Sequence, residues 1–96
     1  MMSSISVSDL QQHLSSLHII DIRSIQSYNN NHIPGAMNIP FEKLIVEPNA
    51  YLNPQQSYCL YCQKGIVSVK ACQILSKVGY RVMNLRGGYE EWIMQQ

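Results

Sequence analysis

Cys62, Lys64 and Ser68 lie close together in Tyr58-Cys59-Leu60-Tyr61-Cys62-Gln63-Lys64-Gly65-Ile66-Val67-Ser68. A thiol, a cation and a hydroxyl around a glycine can make an activated nucleophile. The stretch starts as a short apolar and aromatic run, which suits a buried strand. Its character changes at Cys62. From Val67 onward the apolar residues Val67, Ala71, Ile74, Leu75 and Val78 take helical spacing. Cys62 is therefore expected on a tight loop between the end of a strand and the start of a helix. Backbone N–H groups at a helix start are unpaired, and they attract anions and stabilise a thiolate. A free cysteine has a pKa of about 8.5 and is only roughly 3% ionised at pH 7. Lowering it by ~2 units takes about 2.7 kcal/mol, which loop amides, a helix terminus and Lys64 together can supply. The alternative, an inert buried thiol, fits this position less well.

Other candidates carry less chemistry. Asp21 closes the apolar run His18-Ile19-Ile20-Asp21-Ile22, and a buried charge is costly without a partner. It reads as a structural acceptor for loop amides or a cation, with a catalytic base as the lesser reading. Arg23 is close in sequence, although neighbours on a strand point to opposite faces. His32 precedes the Pro34-Gly35 turn and reads as a turn cap rather than a ligand or base. Cys59 and Cys62 have a redox or metal spacing, but a redox pair would place both at the helix start, whereas Cys59 falls inside the strand and alternation turns it to the other face. Zinc would need four ligands, and no second Cys or His pair is nearby. Cys72 falls mid-helix as core. A phosphatase or arsenate reductase loop would need arginine where Ser68 stands, and phosphoryl transfer without that clamp loses its main charge stabilisation.

The elements that must position Cys62 follow from the rest of the chain. The 96 residues, 46% of them hydrophobic, imply one domain over residues 1–96 with one core. A net charge of +1 without a basic run argues against nucleic acid as partner. No apolar stretch approaches a membrane span and no secretory signal is seen. With an odd number of cysteines, this favours a cytoplasmic protein with free thiols. Ser8 and Gln11 suggest a capping box, followed by Leu10, Leu14 and Leu17 at helical spacing. Strands are expected at 18–22, 36–38 and 81–85 besides the one before Cys62, with helices at about 24–28, 41–46, 67–78 and 89–94. Strands alternating with helices predict an α/β fold: a small parallel β-sheet with helices on both faces. Ligands bind outside the carboxyl ends of such strands, where Asp21, Cys62 and Arg86 all fall.

Four segments resemble the rhodanese (sulfurtransferase) family: Ile20-Asp21-Ile22-Arg23, His32 through Pro40, Tyr61 through Ser68, and Leu85-Arg86-Gly87-Gly88-Tyr89-Glu90-Glu91-Trp92. The resemblance runs from about Ile5 to Ile93 and implies a rhodanese-like fold. It maps the nucleophile onto Cys62 and the substrate-binding loop onto Gln63, Lys64, Gly65, Ile66, Val67 and Ser68, with Asp21, Arg23 and Arg86 in support. Many single-domain members have arginine where this chain has Val67. The resemblance implies transfer of a sulfane sulfur from a small donor, such as thiosulfate or a persulfide, to cyanide, a thiol or a protein acceptor, with no cofactor or metal. A non-catalytic binding or regulatory module is the alternative it leaves open.

Overall fold

The computed structural model describes residues 3–96. Five parallel strands form one sheet in the order β1-β5-β4-β2-β3. They are β1 (Ser3–Ile5), β2 (His18–Asp21), β3 (Met37–Asn38), β4 (Ser57–Tyr61) and β5 (Arg81–Leu85). The helices are α1 (Val7–Gln12), α2 (Ile25–Asn30), α3 (Phe41–Val46), α4 (Ile66–Lys77) and α5 (Gly88–Met94), with a short 3-10 turn at Pro48–Ala50. Central β4 pairs with β2 on one side, Ile20 opposite Leu60, and with β5 on the other, Leu60 opposite Asn84. The α/β expectation of a parallel sheet covered on both faces therefore holds.

The two faces can be read from alternation along β4. Tyr58, Leu60 and Cys62 join Ile20, Leu44, Ala71, Cys72 and Leu75 in one core cluster, which α3 and α4 cover. Cys59 and Tyr61 join Val7, Leu10, Leu85, Tyr89 and Trp92 in the other, under α1 and α5. Cys59 and Cys62 thus lie on opposite faces, and all three cysteines are free. Among the described residues no helix is long and apolar enough to cross a membrane.

Two details differ from the sequence reading. The first helix is capped by Ser6, whose Oγ accepts the Asp9 N–H at 3.1 Å. Starting there brings Val7 and Leu10 inward together. The helix ends at Gln12, so Leu14 and Leu17 pack on the core from a turn instead. The edge strand β1 lacks an apolar signature because two of its three residues are exposed serines. Its pairing with β5 positions it.

Candidate active site

β4 ends at Tyr61, and the chain turns at once into the loop that starts α4. Gly65 makes this turn possible. It is the N-cap of α4 with φ 85°, a left-handed conformation that side chains other than glycine's disfavour. The turn folds the amides back over Cys62. Its Sγ accepts the Gly65 N–H at 3.1 Å and the Ser68 N–H at 3.3 Å, and lies 3.4 Å from the Ser68 hydroxyl. The sulfur occupies the place of a helix cap, at the positive end of α4. Burial by itself would push the thiol up. The Ser68 hydroxyl and the N–H groups of Ser68, Gly65 and Lys64 outweigh it, and the Cys62 pKa is held below its ordinary value. Cys59 and Cys72 lack such donors. Burial first, and a neighbouring cysteine second, push each of them up to about 12. The three thiols are chemically distinct, and Cys62 is the one prepared to ionise.

The loop is held from behind by α5. Tyr89 donates its N–H to the Cys62 carbonyl at 2.9 Å, and Glu90 donates to the Gln63 carbonyl at 3.0 Å. Gly88 permits this approach. A Cβ on Gly88 would lie 2.6 Å from the Cys62 carbonyl oxygen and 2.7 Å from the Gly65 nitrogen. Gly88 is thus a close-packed seat for the loop. Ser68 is fully buried and also hydrogen-bonds Asn84 Oδ1 on β5. That hydroxyl carries one proton and has two neighbours able to accept it, Asn84 and the Cys62 sulfur.

Asp21 and Arg23 support the site from the β2 side. Asp21 is fully buried. Its Oδ2 accepts from Arg23 Nη2 at 2.8 Å and from the Tyr61 hydroxyl at 2.6 Å, and its Oδ1 accepts the Arg23 N–H at 2.9 Å. The reading of Asp21 as an acceptor for a cation and a loop amide matches this geometry. Face alternation does not separate the pair: residues two apart share a face, and the chain leaves the strand after Asp21. Arg23 passes the support to the loop, donating from Nη1 to Gln63 Oε1 at 3.1 Å, and stacks 4.2 Å over the Tyr89 ring. Burial opposes its charge, but the Asp21 carboxylate keeps its pKa above the ordinary value.

In front of Cys62 lies a pocket of about 610 Å³. Ile22, Phe41 and Val67 form apolar walls, and Arg23, Gln63, Lys70 and Glu42 contribute polar groups. Two sequence expectations need correction here. Lys64 is exposed and absent from this pocket; it serves Cys62 through its backbone N–H. The lysine on the pocket is Lys70, one helical turn beyond Val67. Arg86 is exposed and lines a separate groove with Ser6, Val7, Gly87, Glu91 and Gln95. Its N–H donates to the Ile5 carbonyl at 3.0 Å, so its tie is to β1. Ile66 is largely exposed and does not line the pocket. His32 stacks on Tyr28 with Nδ1 2.9 Å from the Tyr28 carbonyl, a local structural role. Sequence reasoning missed Asn84, Tyr61, Lys70 and Glu42. Only the polarity of Asn84 within an apolar strand offered a signal.

Residues 6–95 match the family described as rhodanese-like domain. The chain is 37% identical over 75 residues to the uncharacterized protein YqhL of Bacillus subtilis, which covers 77% of this chain and 59% of that relative. It is 36% identical over 78 residues to the thiosulfate sulfurtransferase GlpE of Shewanella oneidensis, covering 80% of this chain and 76% of that one. Its fold superposes on the human single-domain sulfurtransferase TSTD1 with a TM-score of 0.87 and 27% identity, across 100% of this chain and 99% of that one. The chain thus spans less than two thirds of YqhL, and 42% of a second Bacillus subtilis relative.

Proposed function

Since the chain belongs to the rhodanese-like domain family, we propose that it is a sulfurtransferase that carries sulfane sulfur as a Cys62 persulfide. The observation that carries this reading is the cradle of N–H groups and the Ser68 hydroxyl around a thiol held below its ordinary pKa.

The Cys62 thiolate attacks the sulfane sulfur of the donor. With thiosulfate, the S–S bond breaks, sulfite leaves with the bonding pair, and Cys62–S–S⁻ remains. An acceptor thiolate, or cyanide, then attacks the outer sulfur, and Cys62 departs as thiolate. No external oxidant is needed and no proton must be abstracted from an ionised thiol. This agrees with a site whose catalytic equipment is hydrogen-bond donors rather than a base. The same donors face the persulfide, which is also an anion. In this reading Gln63, Lys64, Gly65, Ile66, Val67 and Ser68 form the sulfur-binding loop, and Asp21 and Arg23 hold it. Arg86 supports only the β1–β5 edge.

Donor treatment followed by mass spectrometry tests the proposal: Cys62 gains one sulfur atom, and Cys59 and Cys72 gain none. The opposite pattern, or an unmodified Cys62 beside a competent control enzyme, would contradict it. Val67 at a position that is arginine in many single-domain members favours one other reading, a binding module. That reading expects no transfer from any donor.

A further inference from the structure

We propose that the pocket before Cys62 selects, as sulfur donor, a small organic persulfide bearing both an ammonium and a carboxylate, with Lys70 and Glu42 recognising the two charges. This rests on the sulfurtransferase reading and names the donor class for the same site.

Four observations converge on it. The pocket, at about 610 Å³, has the size of an organic ligand site and far exceeds what a five-atom inorganic anion fills. Its walls Ile22, Phe41 and Val67 are apolar and suit carbon rather than sulfonate oxygens. The arginine it does contain is already engaged. Arg23 gives Nε to Asp21, one Nη1 N–H to Gln63, and Nη2 to Asp21 and the Asn31 carbonyl. Of its five N–H groups one remains, too few for a bidentate grip on a dianion. Finally, the pocket lining adds one cation, Lys70, and one anion, Glu42. Among the described residues the only ion pair is Arg23–Asp21, so neither of these charges is paired with another described residue.

Helix geometry directs Lys70 to the site. Side chains on a helix lean toward its N-terminus, so Lys70 extends back over Val67 toward the Cys62 loop. Glu42 enters from the first turn of α3. The charges of Lys70 and Glu42 sum to zero, and that of Arg23 is offset by the buried Asp21 behind the lining. A dianion such as thiosulfate gains little from such a lining, whereas a donor with one charge of each sign gains at both ends. Its outer sulfur is attacked by the Cys62 thiolate, the S–S bond breaks, and the bonding pair leaves on the donor's inner sulfur. That sulfur takes the persulfide proton and departs as a thiol. Atoms and electrons balance without an oxidant.

The test pairs charges on the protein with charges on the donor. The rate of Cys62 persulfide formation is followed by mass spectrometry with cysteine persulfide, N-acetylcysteine persulfide (no ammonium), cysteamine persulfide (no carboxylate) and thiosulfate. Wild type, Glu42→Gln and Lys70→Met are compared at low salt. A partly screened single charge gives about a three- to fivefold effect. Wild type is expected to prefer cysteine persulfide over both truncated donors by that factor. Glu42→Gln erases only the preference over the N-acetyl donor and raises the thiosulfate rate. Lys70→Met erases only the preference over cysteamine persulfide. Preferences that survive both substitutions, or equal rates with all donors in wild type, overturn the donor class and leave the sulfurtransferase reading standing. A wild-type Cys62 that accepts sulfur from none of the four overturns both.

Discussion

Replacing Ser68 with alanine should make Cys62 harder to ionise, and the size of the effect follows from the site. Sγ has two amide donors at 3.1 and 3.3 Å and one hydroxyl at 3.4 Å. A hydrogen bond to a charged group contributes ~1.5–3 kcal/mol. Sulfur is a weak acceptor and the contact is long, so a figure just below that range, ~1–1.5 kcal/mol, is the better one here. At a pH where the thiol is mostly protonated, that is roughly a five- to tenfold loss of thiolate. The assay is favourable, because Cys59 and Cys72 are pushed up to about 12. Of the three thiols, only Cys62 therefore contributes thiolate well below that range. Ser68→Ala should move the thiolate titration to higher pH and, at a pH below the wild-type midpoint, slow alkylation by the same factor. Asn84→Ala serves as the opposite control. It removes the rival acceptor of the Ser68 proton and should leave the titration in place or move it lower. A Ser68→Ala protein that titrates like wild type, with Asn84→Ala titrating higher, would rule out the Ser68 hydroxyl as a donor to Sγ. It would mean that the hydroxyl serves Asn84 and not the sulfur.

Three further outcomes follow from the same geometry. Gly88→Ala puts a Cβ 2.6 Å from the Cys62 carbonyl at a φ of +63°; strain and displacement should cost about 2 kcal/mol or more, seen as a lower melting temperature with slower Cys62 alkylation. Asp21→Ala leaves Arg23 and the Tyr61 hydroxyl without their acceptor and should cost ~3 kcal/mol or more, measured by urea unfolding; a loss below ~1 kcal/mol would contradict the role given to the pair. Stability should also fall on the alkaline side. Cys59 and Cys72 have folded values raised to about 12 from 9.0, so their contribution is complete below pH 9 and is lost as pH rises to about 12. The depressed Cys62 has the reverse sign: its contribution is present above the ordinary value and is lost as pH falls through the folded one. Denaturant unfolding of wild type and Cys72→Ala across this range checks the first part, with a flatter alkaline limb in the variant.

Much of the site was legible in the sequence because strand-to-helix punctuation is local. The change of period at Cys62, the glycine at 65 and the helical spacing beyond it place a thiol on a helix start without any tertiary information. Asp21 was legible for another reason: a carboxylate inside an apolar run must find partners. What was not legible depended on distant chain segments. Lys64 looked like the loop's cation because it is adjacent in sequence, but the pocket opens on the α3 side and receives Lys70. Arg86 lies near a carboxyl end of the sheet, as expected, yet it turns toward the β1 edge, and β1 itself has no apolar signature. The role of Gly88 was hidden because its contact with the Cys62 carbonyl spans 26 residues. The same limit hid Asn84, whose partner Ser68 is on α4.

The proposed function requires that Cys62 carry transferable sulfur. It is tested most directly by supplying a persulfide donor and a cyanide acceptor to wild type and to Cys62→Ser, reading thiocyanate and the mass of the protein together. Wild type should give thiocyanate and a one-sulfur gain on Cys62, and Cys62→Ser should give neither. Equal turnover in the two proteins, or sulfur retained on Cys59 or Cys72, would contradict it.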